Sequence, residues 1–553
     1  MSVRDRGVIG RRDFLRYSAL AGGFAVGPVA CRRTVEERAS SPVVASASAA
    51  QQPLELDELS LTDLTASMAS GDRTARSVTA AYLSRIEQLD RQGPTLRSVI
   101  ETNPDALEIA EALDRERAEG RVRSPLHGVP MLLKDNIDTA DRMTTTAGSL
   151  ALRGSIPSED STIARRLREA GAVFLGKANL SEWANFRSNR SSSGWSARGG
   201  QCRNPYVLDR SPCGSSSGSA VAVSANLVAA AIGTETDGSI VCPSSANGIV
   251  GIKTTVGLVS RAGIVPISAT QDTAGPMTRT VRDAALVLGV IAGVDPRDPA
   301  TAASEPRRVN DYTSFLDENG LNGVRVGVQR SAFGFNDAVD RLMTAAITLM
   351  QDRGATIVDP IDLRPSAAMR RAEREVMAYE FKAGLNAYLS NLPDAEVGSL
   401  AELIAFNEEH AADEMPYFGQ ERLIEAQRRG PLSDARYREA YAAARRLARD
   451  EGIDKAMDAD SLDAIIAPTG GPAWVIDLVN GDHFGGGSSS LAAVAGYPNI
   501  TIPAGFVHGL PVGLSFFGRA WSEPTLIRIA YAFEQASMHR QVPTFLPTAA
   551  VET

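Results

Sequence analysis

Apolar and polar positions follow two different periods along this chain. Apolar residues recur at helical spacing over 57–90 and 104–120, and the second segment has Asn103 as a candidate N-cap with Pro104 in its first turn. Short apolar runs bounded by Gly, Pro or Asn, typical of buried strands, occur at 129–134, 172–175, 324–328, 464–467 and 500–502. Because helices alternate with buried strands, the pattern predicts an α/β layered fold.

Residues 366–460 differ from the rest because their pattern is mostly helical, polar and rich in Arg and Glu. We expect this stretch to cover one end of the sheet as a helical cap. No repeat of fixed period and no long linker interrupts the sequence beyond residue 52. Although the length alone would suggest about three domains, the sequence predicts one domain over 53–553 with the cap as an insertion.

The N-terminus has the features of an export signal. Arg11 and Arg12 stand before Phe-Leu, and a mildly apolar, glycine-rich run over 17–30 follows. This arrangement is typical of a twin-arginine signal, which directs folded proteins out of the cytoplasm. Residues 1–30 are therefore predicted to be the signal, with a buried N-terminal helix as the alternative.

Two cleavage sites fit this signal. Cleavage after Ala30 would leave Cys31 as a lipid-bearing first residue, and cleavage near 45–47 would remove it. Residues 31–52 are rich in Ser, Ala and Val without periodicity, so they are predicted to form a flexible leader. We expect the mature protein to be periplasmic or extracellular, with or without a lipid anchor at Cys31.

The charge balance excludes several classes of partner. The chain has 57 basic and 66 acidic residues, a net charge of −9, and nucleic-acid binding depends on basic surface. No stretch reaches the roughly 18 to 20 uninterrupted apolar residues of a membrane-spanning helix. The expected partner is a small molecule or a short peptide, bound by a monomer or a homodimer.

Lysine is scarce, since five of the 57 basic residues are lysines. A codon bias toward arginine explains the scarcity, but lysine can lose its proton at usable pH and arginine cannot. Three of the five, Lys134, Lys177 and Lys253, fall within one stretch of the sequence. Lys134 closes an apolar run, so burial there would lower its pKa and make it a candidate base.

Cysteines and histidines give little support to a metal site. Cys202, Cys213 and Cys242 follow the leader, an odd number that allows at most one disulfide. No pair has metal-ligand spacing with histidines nearby, so neither a metal nor a cofactor is predicted. None of the five histidines lies in a Gly-x-Ser-x-Gly elbow, which leaves a Ser-His-Asp triad unsupported. A buried lysine is the other base that can activate a serine.

The densest cluster of small residues runs over 211–255. Gly214-Ser-Ser-Ser-Gly218 opens a helical stretch, and Thr236-Asp-Gly-Ser239 follows a strand-like run at 228–232. Such loops direct backbone N–H groups into a concavity, which suits a phosphate or a developing oxyanion. The Gly-Lys-Ser/Thr ending of a phosphate-binding loop is absent here, which argues against a phosphate. A serine-rich loop with no catalytic role is the alternative.

Taken together, these motifs resemble the amidase signature family. The matching stretches, in the order and spacing of the family, are 128–136, 144–149, 176–179, 214–219, 236–240 and 251–254, with weaker resemblance at 467–469, 496–503 and 510–513. The resemblance implies an α/β fold with a large mixed β-sheet core flanked by helices and a mostly helical cap. It also implies amide hydrolysis through a serine acyl-enzyme without a cofactor.

Carried over residue by residue, the resemblance implies a Ser-Ser-Lys triad. Ser239 would be the nucleophile, Ser215 the bridging serine and Lys134 the base. It also implies a cis peptide bond between Gly214 and Ser215. Lys177 and Lys253 would be structural.

The same resemblance suggests the groups that contact the substrate. Backbone N–H groups of Thr236, Asp237, Gly238 and Ser239 would stabilise the oxyanion. Asp237 stands where many members have a second glycine, which affects the shape of this loop. Trp183 would line the substrate pocket, with burial in the core as the alternative.

Four stretches are most similar to bacterial peptide amidases, which release ammonia from C-terminal peptide amides; they are 194–200, 204–206, 234–243 and 416–421. An exported enzyme of this kind would act on extracytoplasmic peptides. A general acyl or aryl amidase is the main alternative. A non-catalytic binding protein on the same scaffold is the other.

Overall fold

The computed structural model of the chain describes residues 56–307, 309–392 and 395–550. The predicted signal over 1–30 and the leader over 31–52, with Cys31, lie outside the described residues. Those assignments therefore stay predictions. No helix of the described residues is both long and apolar enough to cross a membrane.

A mixed sheet of eleven strands lies at the centre of the described chain. In chain order the strands are β1 (Val99–Thr102), β2 (Pro130–Lys134), β3 (Val173–Ala178), β4 (Trp195–Ser196), β5 (Gly200–Gln201), β6 (Ala230–Glu235), β7 (Val250–Lys253), β8 (Thr273–Thr278), β9 (Arg325–Val328), β10 (Thr356–Val358), β11 (Ala464–Pro468), β12 (Asn499–Val507) and β13 (Leu510–Phe517). β4 and β5 form a separate pair.

The order of the strands across the large sheet is β1-β3-β2-β6-β8-β7-β12-β13-β11-β9-β10. β2 runs parallel to both β3 and β6, and β9 runs parallel to both β10 and β11. The other neighbours are antiparallel. The predicted α/β fold with a large mixed sheet is confirmed.

Helices cover the sheet. They are α1 (Leu61–Ser70), α2 (Ala75–Arg85), α3 (Ala106–Ala118), α4 (Thr162–Glu169), α5 (Ser217–Ser224), α6 (Val241–Ala246), α7 (Val281–Ile291), α8 (Asp337–Asp352), α9 (Ala367–Leu389), α10 (Leu400–Glu409), α11 (Ala411–Glu414), α12 (Glu421–Gln427), α13 (Ala435–Ala448), α14 (Asp454–Asp460), α15 (Ser489–Ala495) and α16 (Glu523–Ser537). Shorter 3₁₀ segments are Leu150–Leu152, Glu182–Asn185, Pro299–Arg307, Tyr312–Phe315 and Arg330–Ala332, and π-helical turns are Ile86–Arg91 and Arg449–Ile453.

The first two periodic segments form helices with different ends from those predicted. Residues 57–90 contain two helices, because Gly71 adopts a left-handed φ of 83° and ends α1. In the second segment the N-cap is Asp105, so the prediction that Asn103 caps α3 is wrong. The Asn103 side chain accepts from the Asp105 N–H and donates to the Phe174 carbonyl, which ties it to β3 instead.

Helix α5 lies in the core and is built from small residues, all of them buried. This composition lets it approach the sheet closely. A Cβ on Gly218 would lie 2.2 Å from the carbonyl oxygen of Ser98 and 2.5 Å from that of Asn179. Gly218 is therefore required by packing.

Residues 366–460 are mostly helical, as predicted, and contain α9 to α14. Helix α9 contacts the body of the protein directly. Phe381 stacks at a tilt on Phe186 with ring centroids 4.7 Å apart, and the Glu380 carboxylate accepts from the hydroxyl groups of Ser268 and Thr270. These contacts place α9 against the loop over 265–272, next to the site described below. We call α9 to α14 the cap.

Candidate active site

Lys134 lies at the end of β2 and is completely buried. Its Nζ is 2.8 Å from Ser215 Oγ, 2.9 Å from Thr234 Oγ1 and 3.2 Å from the Thr234 carbonyl oxygen. Burial lowers the pKa of the Lys134 amine to about 7, against the opposing effect of the Glu235 and Asp272 carboxylates. Near neutral pH, a large fraction of this lysine is therefore uncharged.

The three contacts of Lys134 suit a neutral amine, which has two N–H donors and one lone pair. In the structure the amine donates to Ser215 Oγ and to both oxygens of Thr234. Once the amine is neutral, Thr234 can accept from its two N–H groups and leave the lone pair for Ser215. The Asn136 side chain also donates to Thr234 Oγ1, at 3.0 Å, and so fixes the Thr234 side chain. Lys134 can thus take a proton from the Ser215 hydroxyl.

Ser215 precedes α5 and is reached through the predicted cis peptide bond after Gly214, which the structure confirms. Its carbonyl accepts from the Ser181 N–H at 3.1 Å. The Ser217 hydroxyl donates to the Cys213 carbonyl at 2.6 Å and closes the same turn. The Ser215 side chain is consequently held between Lys134 and the cleft.

Ser239 lies in the loop between β6 and α6, where Gly238 adopts a left-handed φ of 80°. The Glu235 carboxylate accepts from the N–H groups of Ile240 and Val241 and closes this loop. The Ser239 carbonyl accepts from the Ser216 N–H at 3.2 Å. The two serine-bearing loops are therefore joined by a direct backbone hydrogen bond.

A disulfide also joins the two loops. It links Cys213, two residues before Ser215, to Cys242, three residues after Ser239. A bridge between residues 29 positions apart stabilises a fold by about 3 to 4 kcal/mol in the chain-entropy model. Cys202, buried in the core, is a free thiol.

The loop over 236–239 lines the cleft through Thr236, Asp237 and Ser239. Among the described residues, none accepts a hydrogen bond from these four groups. The Thr236 hydroxyl donates to Asp272 at 2.6 Å, and the Asp237 carboxylate accepts from Ser489 and Ser490. Side chains thus fix the loop while its backbone donors keep no partner in the described chain. The oxyanion roles of Thr236, Asp237 and Gly238 stay predictions.

The cleft extends from Ser239 in two directions. The inner lobe is mostly apolar and contains Ser215 and Ser239 in its wall; its other walls include Ile264, Val265, Pro266, Ile267 and Asp272. The outer lobe is more polar and reaches the cap; its walls include Ser239, Asp237, Asn189, Glu373, Arg374 and Arg422. Ser239 is the triad member common to both lobes.

Trp183 is not brought together with the triad. It is 2% exposed and lies in an apolar cluster with Phe186, Ile267 and Phe381, between the body and the cap. Its neighbour Ala184 lines both lobes of the cleft, whereas the Trp183 side chain lines a small adjacent cavity. A direct contact of Trp183 with substrate stays a prediction.

The two other clustered lysines lie outside this cleft. Lys177 donates to the Ile137 carbonyl at 2.7 Å and to Thr145, and Lys253 donates to the Tyr497 carbonyl at 2.7 Å. Both are completely buried and hold chain segments together. In the described part of the chain, no group of three or more His, Cys, Asp or Glu side chains is placed to hold a metal ion.

The chain is similar to known amidases in sequence and in fold. A family model described as Amidase matches residues 77–527. A probable amidase of Arabidopsis thaliana is 43% identical over 500 residues, which cover 89% of this chain and 92% of the relative.

Two solved structures of peptide amidases are each 56% identical and cover 88% of this chain and 99% of the solved chain. One is the native enzyme of Stenotrophomonas maltophilia, with a TM-score of 0.85. The other is a complex with the competitive inhibitor chymostatin, with a TM-score of 0.86. This chain therefore belongs to the amidase signature family.

Proposed function

We propose that the protein hydrolyses amides through a serine acyl-enzyme, with Ser239 as nucleophile, Ser215 as proton bridge and Lys134 as base. The observation that carries this proposal is the buried contact of 2.8 Å between Lys134 Nζ and Ser215 Oγ, at the wall of a cleft that also contains Ser239. A neutral lysine in a dry site can do the work that histidine does in other serine hydrolases.

In the acylation step, Lys134 takes the Ser215 proton while Ser215 takes the proton of Ser239. The Ser239 oxygen attacks the amide carbon, and the N–H groups of 236–239 stabilise the negative charge that forms on the carbonyl oxygen. The proton returns through Ser215 to the leaving nitrogen as the C–N bond breaks. Water, activated by the same pair, then hydrolyses the ester on Ser239 and releases the acid.

We propose C-terminal peptide amides as the substrates, with ammonia as the leaving group. Identity of 56% with peptide amidases supports this choice. The outer lobe of the cleft supports it as well, because its many amide, hydroxyl and charged side chains suit a peptide backbone better than a hydrocarbon chain. The main alternative stays a general acyl or aryl amidase.

A substrate panel tests this choice. Ammonia release is measured from short peptide amides and fatty amides, and amine release from aryl amides. We expect kcat/KM for peptide amides to exceed the others by at least about 100-fold, because their backbone would fill the polar lobe. The same peptides with a free C-terminal carboxylate serve as controls and should give neither ammonia nor internal cleavage. Equal or better use of fatty or aryl amides would overturn the proposal.

We propose further that the enzyme works outside the cytoplasm. The twin-arginine pattern at Arg11 and Arg12 supports this, and so does the disulfide between Cys213 and Cys242, since disulfides persist in oxidising compartments. Changing both arginines to lysine should leave the protein in the cytoplasmic fraction of the producing cell, whereas the wild type should be exported. Equal export of both forms would contradict a twin-arginine route.

A further inference from the structure

The outer lobe of the cleft contains a carboxyl group that the proposed reaction does not use. Glu373 lies on α9 of the cap and is only 5% exposed. Its side chain lines the same lobe as the Asp237 side chain, in the loop that carries the oxyanion donors, and the Asp237 charge acts on it. Two carboxyl groups so close in a buried place cannot both be ionised at low cost.

The surroundings of Asp237 show which of the two carboxyl groups accepts. The Ser489 hydroxyl donates to Asp237 Oδ1 at 2.5 Å, and the Ser490 hydroxyl donates to Oδ2 at 2.7 Å. Both oxygens of Asp237 therefore already act as acceptors, as in a carboxylate. A hydrogen bond between the two side chains requires a proton, and Glu373 is the side chain that can supply it.

Gln271 joins Glu373 to the same loop. The Gln271 side-chain N–H group donates to Glu373 Oε1 at 3.2 Å and to the Thr236 carbonyl oxygen at 3.3 Å. Glu373 is thus joined to Thr236 through Gln271, and it lines the same lobe as Asp237, the next residue of the oxyanion loop. No local sequence pattern connects these residues, since Gln271 and Glu373 are 102 positions apart.

We propose that Glu373 is a positioning residue whose carboxyl group, carrying a proton, donates to Asp237 and so holds the oxyanion loop against the cap. Loss of that proton places two negative charges side by side, next to the site where the oxyanion forms. The loop would then move away from the cap, and the negative charge would oppose the transition state. Activity should therefore fall at high pH.

The charges around Glu373 agree with a carboxyl group that keeps its proton. Burial, followed by the neighbouring Asp237 charge, raises the pKa of Glu373 well above its ordinary value, and Arg374 opposes this. The polar and charged groups that line this part of the lobe or contact Glu373 and Asp237 are Asp237, Gln271, Arg370, Arg374, Arg422, Asp482, Ser489 and Ser490. The charges of Arg374 and Arg422 act in the opposite direction and favour the ionised carboxylate.

The inference rests on the proposed amide hydrolysis for its activity readout. With Lys134 as base, kcat/KM rises with pH as this lysine loses its proton in the free enzyme, with a midpoint of about 7. Ionisation of Glu373 adds a descending limb at higher pH. Glu373→Gln keeps a donor for Asp237 and an acceptor for Gln271 but cannot ionise, so it should retain the rising limb and lose the descending one.

The test compares pH profiles of the wild type, Glu373→Gln and Glu373→Ala on a peptide amide. We expect Glu373→Gln to keep kcat within about twofold of the wild-type maximum. Glu373→Ala should lose roughly 10-fold in kcat, less than the 100-fold or more that follows loss of an oxyanion donor itself. Glu375→Gln is the matched control, because Glu375 lies on the same helix but pairs with Arg429 and Arg436; its profile should match that of the wild type.

An infrared measurement tests the proton without turnover. The difference spectrum between the wild type and Glu373→Gln at about pH 7 should contain a band of a protonated carboxyl group. Absence of the band, or an unchanged descending limb in Glu373→Gln, would overturn the assignment. If the protein hydrolysed no amide at all, the infrared band would still report the protonation state of Glu373. A failure of the proposed hydrolysis is therefore distinguishable from a failure of the Glu373 assignment.

Discussion

Lys134→Arg is expected to abolish amide hydrolysis, with kcat falling by roughly 10³- to 10⁴-fold. Lys134 is completely buried, and burial lowers its pKa to about 7, so a neutral amine is available at neutral pH. A guanidinium keeps its proton at any usable pH and cannot accept one from Ser215. The substitution removes the ability to act as a base, and it also places a larger group with a permanent charge in the buried site.

Purified Lys134→Arg is compared with the wild type by ammonia release under saturating peptide amide. Lys455→Arg is the matched control, because Lys455 is exposed on α14 and should tolerate the same change. Since arginine is larger than the buried site, Lys134→Met provides a second variant of similar volume without charge, and circular dichroism reports folding. A folded Lys134→Arg enzyme with activity within 10-fold of the wild type would exclude Lys134 as the base.

The scarcity of lysine acquires a different meaning once the structure is known. Composition attributes the missing lysines to codon bias, and the apolar run before Lys134 predicts its burial. Composition could not predict the role of Thr234, whose two oxygens direct the amine toward Ser215. This residue lies 100 positions away along the chain, on a neighbouring strand of the sheet.

The strands of the sheet, too, could be predicted only in part. Continuous apolar runs revealed β2, β9 and β11, but β8 reads Thr-Ala-Gly-Pro-Met-Thr, and Gly-Pro is a turn signal. In the structure, Gly275 is required because a Cβ there would lie 1.9 Å from the Ile252 carbonyl oxygen on β7. A local sequence pattern does not reveal how closely a neighbouring strand approaches. Here that close approach overrides the turn preference of Gly-Pro.

Functional residues outside the motifs were missed because their roles depend on tertiary contacts. Asp272 follows Gln271 in an ordinary polar segment, yet it accepts from the Thr236 hydroxyl and from two backbone N–H groups of 267–268. Glu373 lies in a helix rich in Arg and Glu, where one more acidic residue attracts no notice. Asp272 contacts Thr236 directly and Glu373 is linked to it through Gln271, although both lie far from Thr236 in the sequence.

Ser239→Ala is expected to lose activity by roughly 10⁴- to 10⁶-fold while folding normally. The change removes one oxygen from a side chain at the surface of the cleft. It leaves the backbone hydrogen bond from the Ser216 N–H to the carbonyl of residue 239 intact. Without the hydroxyl no acyl-enzyme can form, so the remaining Lys134–Ser215 pair has no nucleophile to activate.

Two measurements separate this loss from a folding defect. The melting temperature of Ser239→Ala should lie within a few degrees of the wild type, and so should that of Ser84→Ala, an exposed control on α2 that keeps full activity. A serine-directed fluorophosphonate should label the wild type at Ser239 and leave Ser239→Ala unlabelled. Because labelling requires an activated hydroxyl and not turnover of a chosen substrate, an unlabelled wild type would favour a non-catalytic binding protein. Retained turnover in Ser239→Ala would show that another residue is the nucleophile. The contacts of Lys134 would then need another explanation.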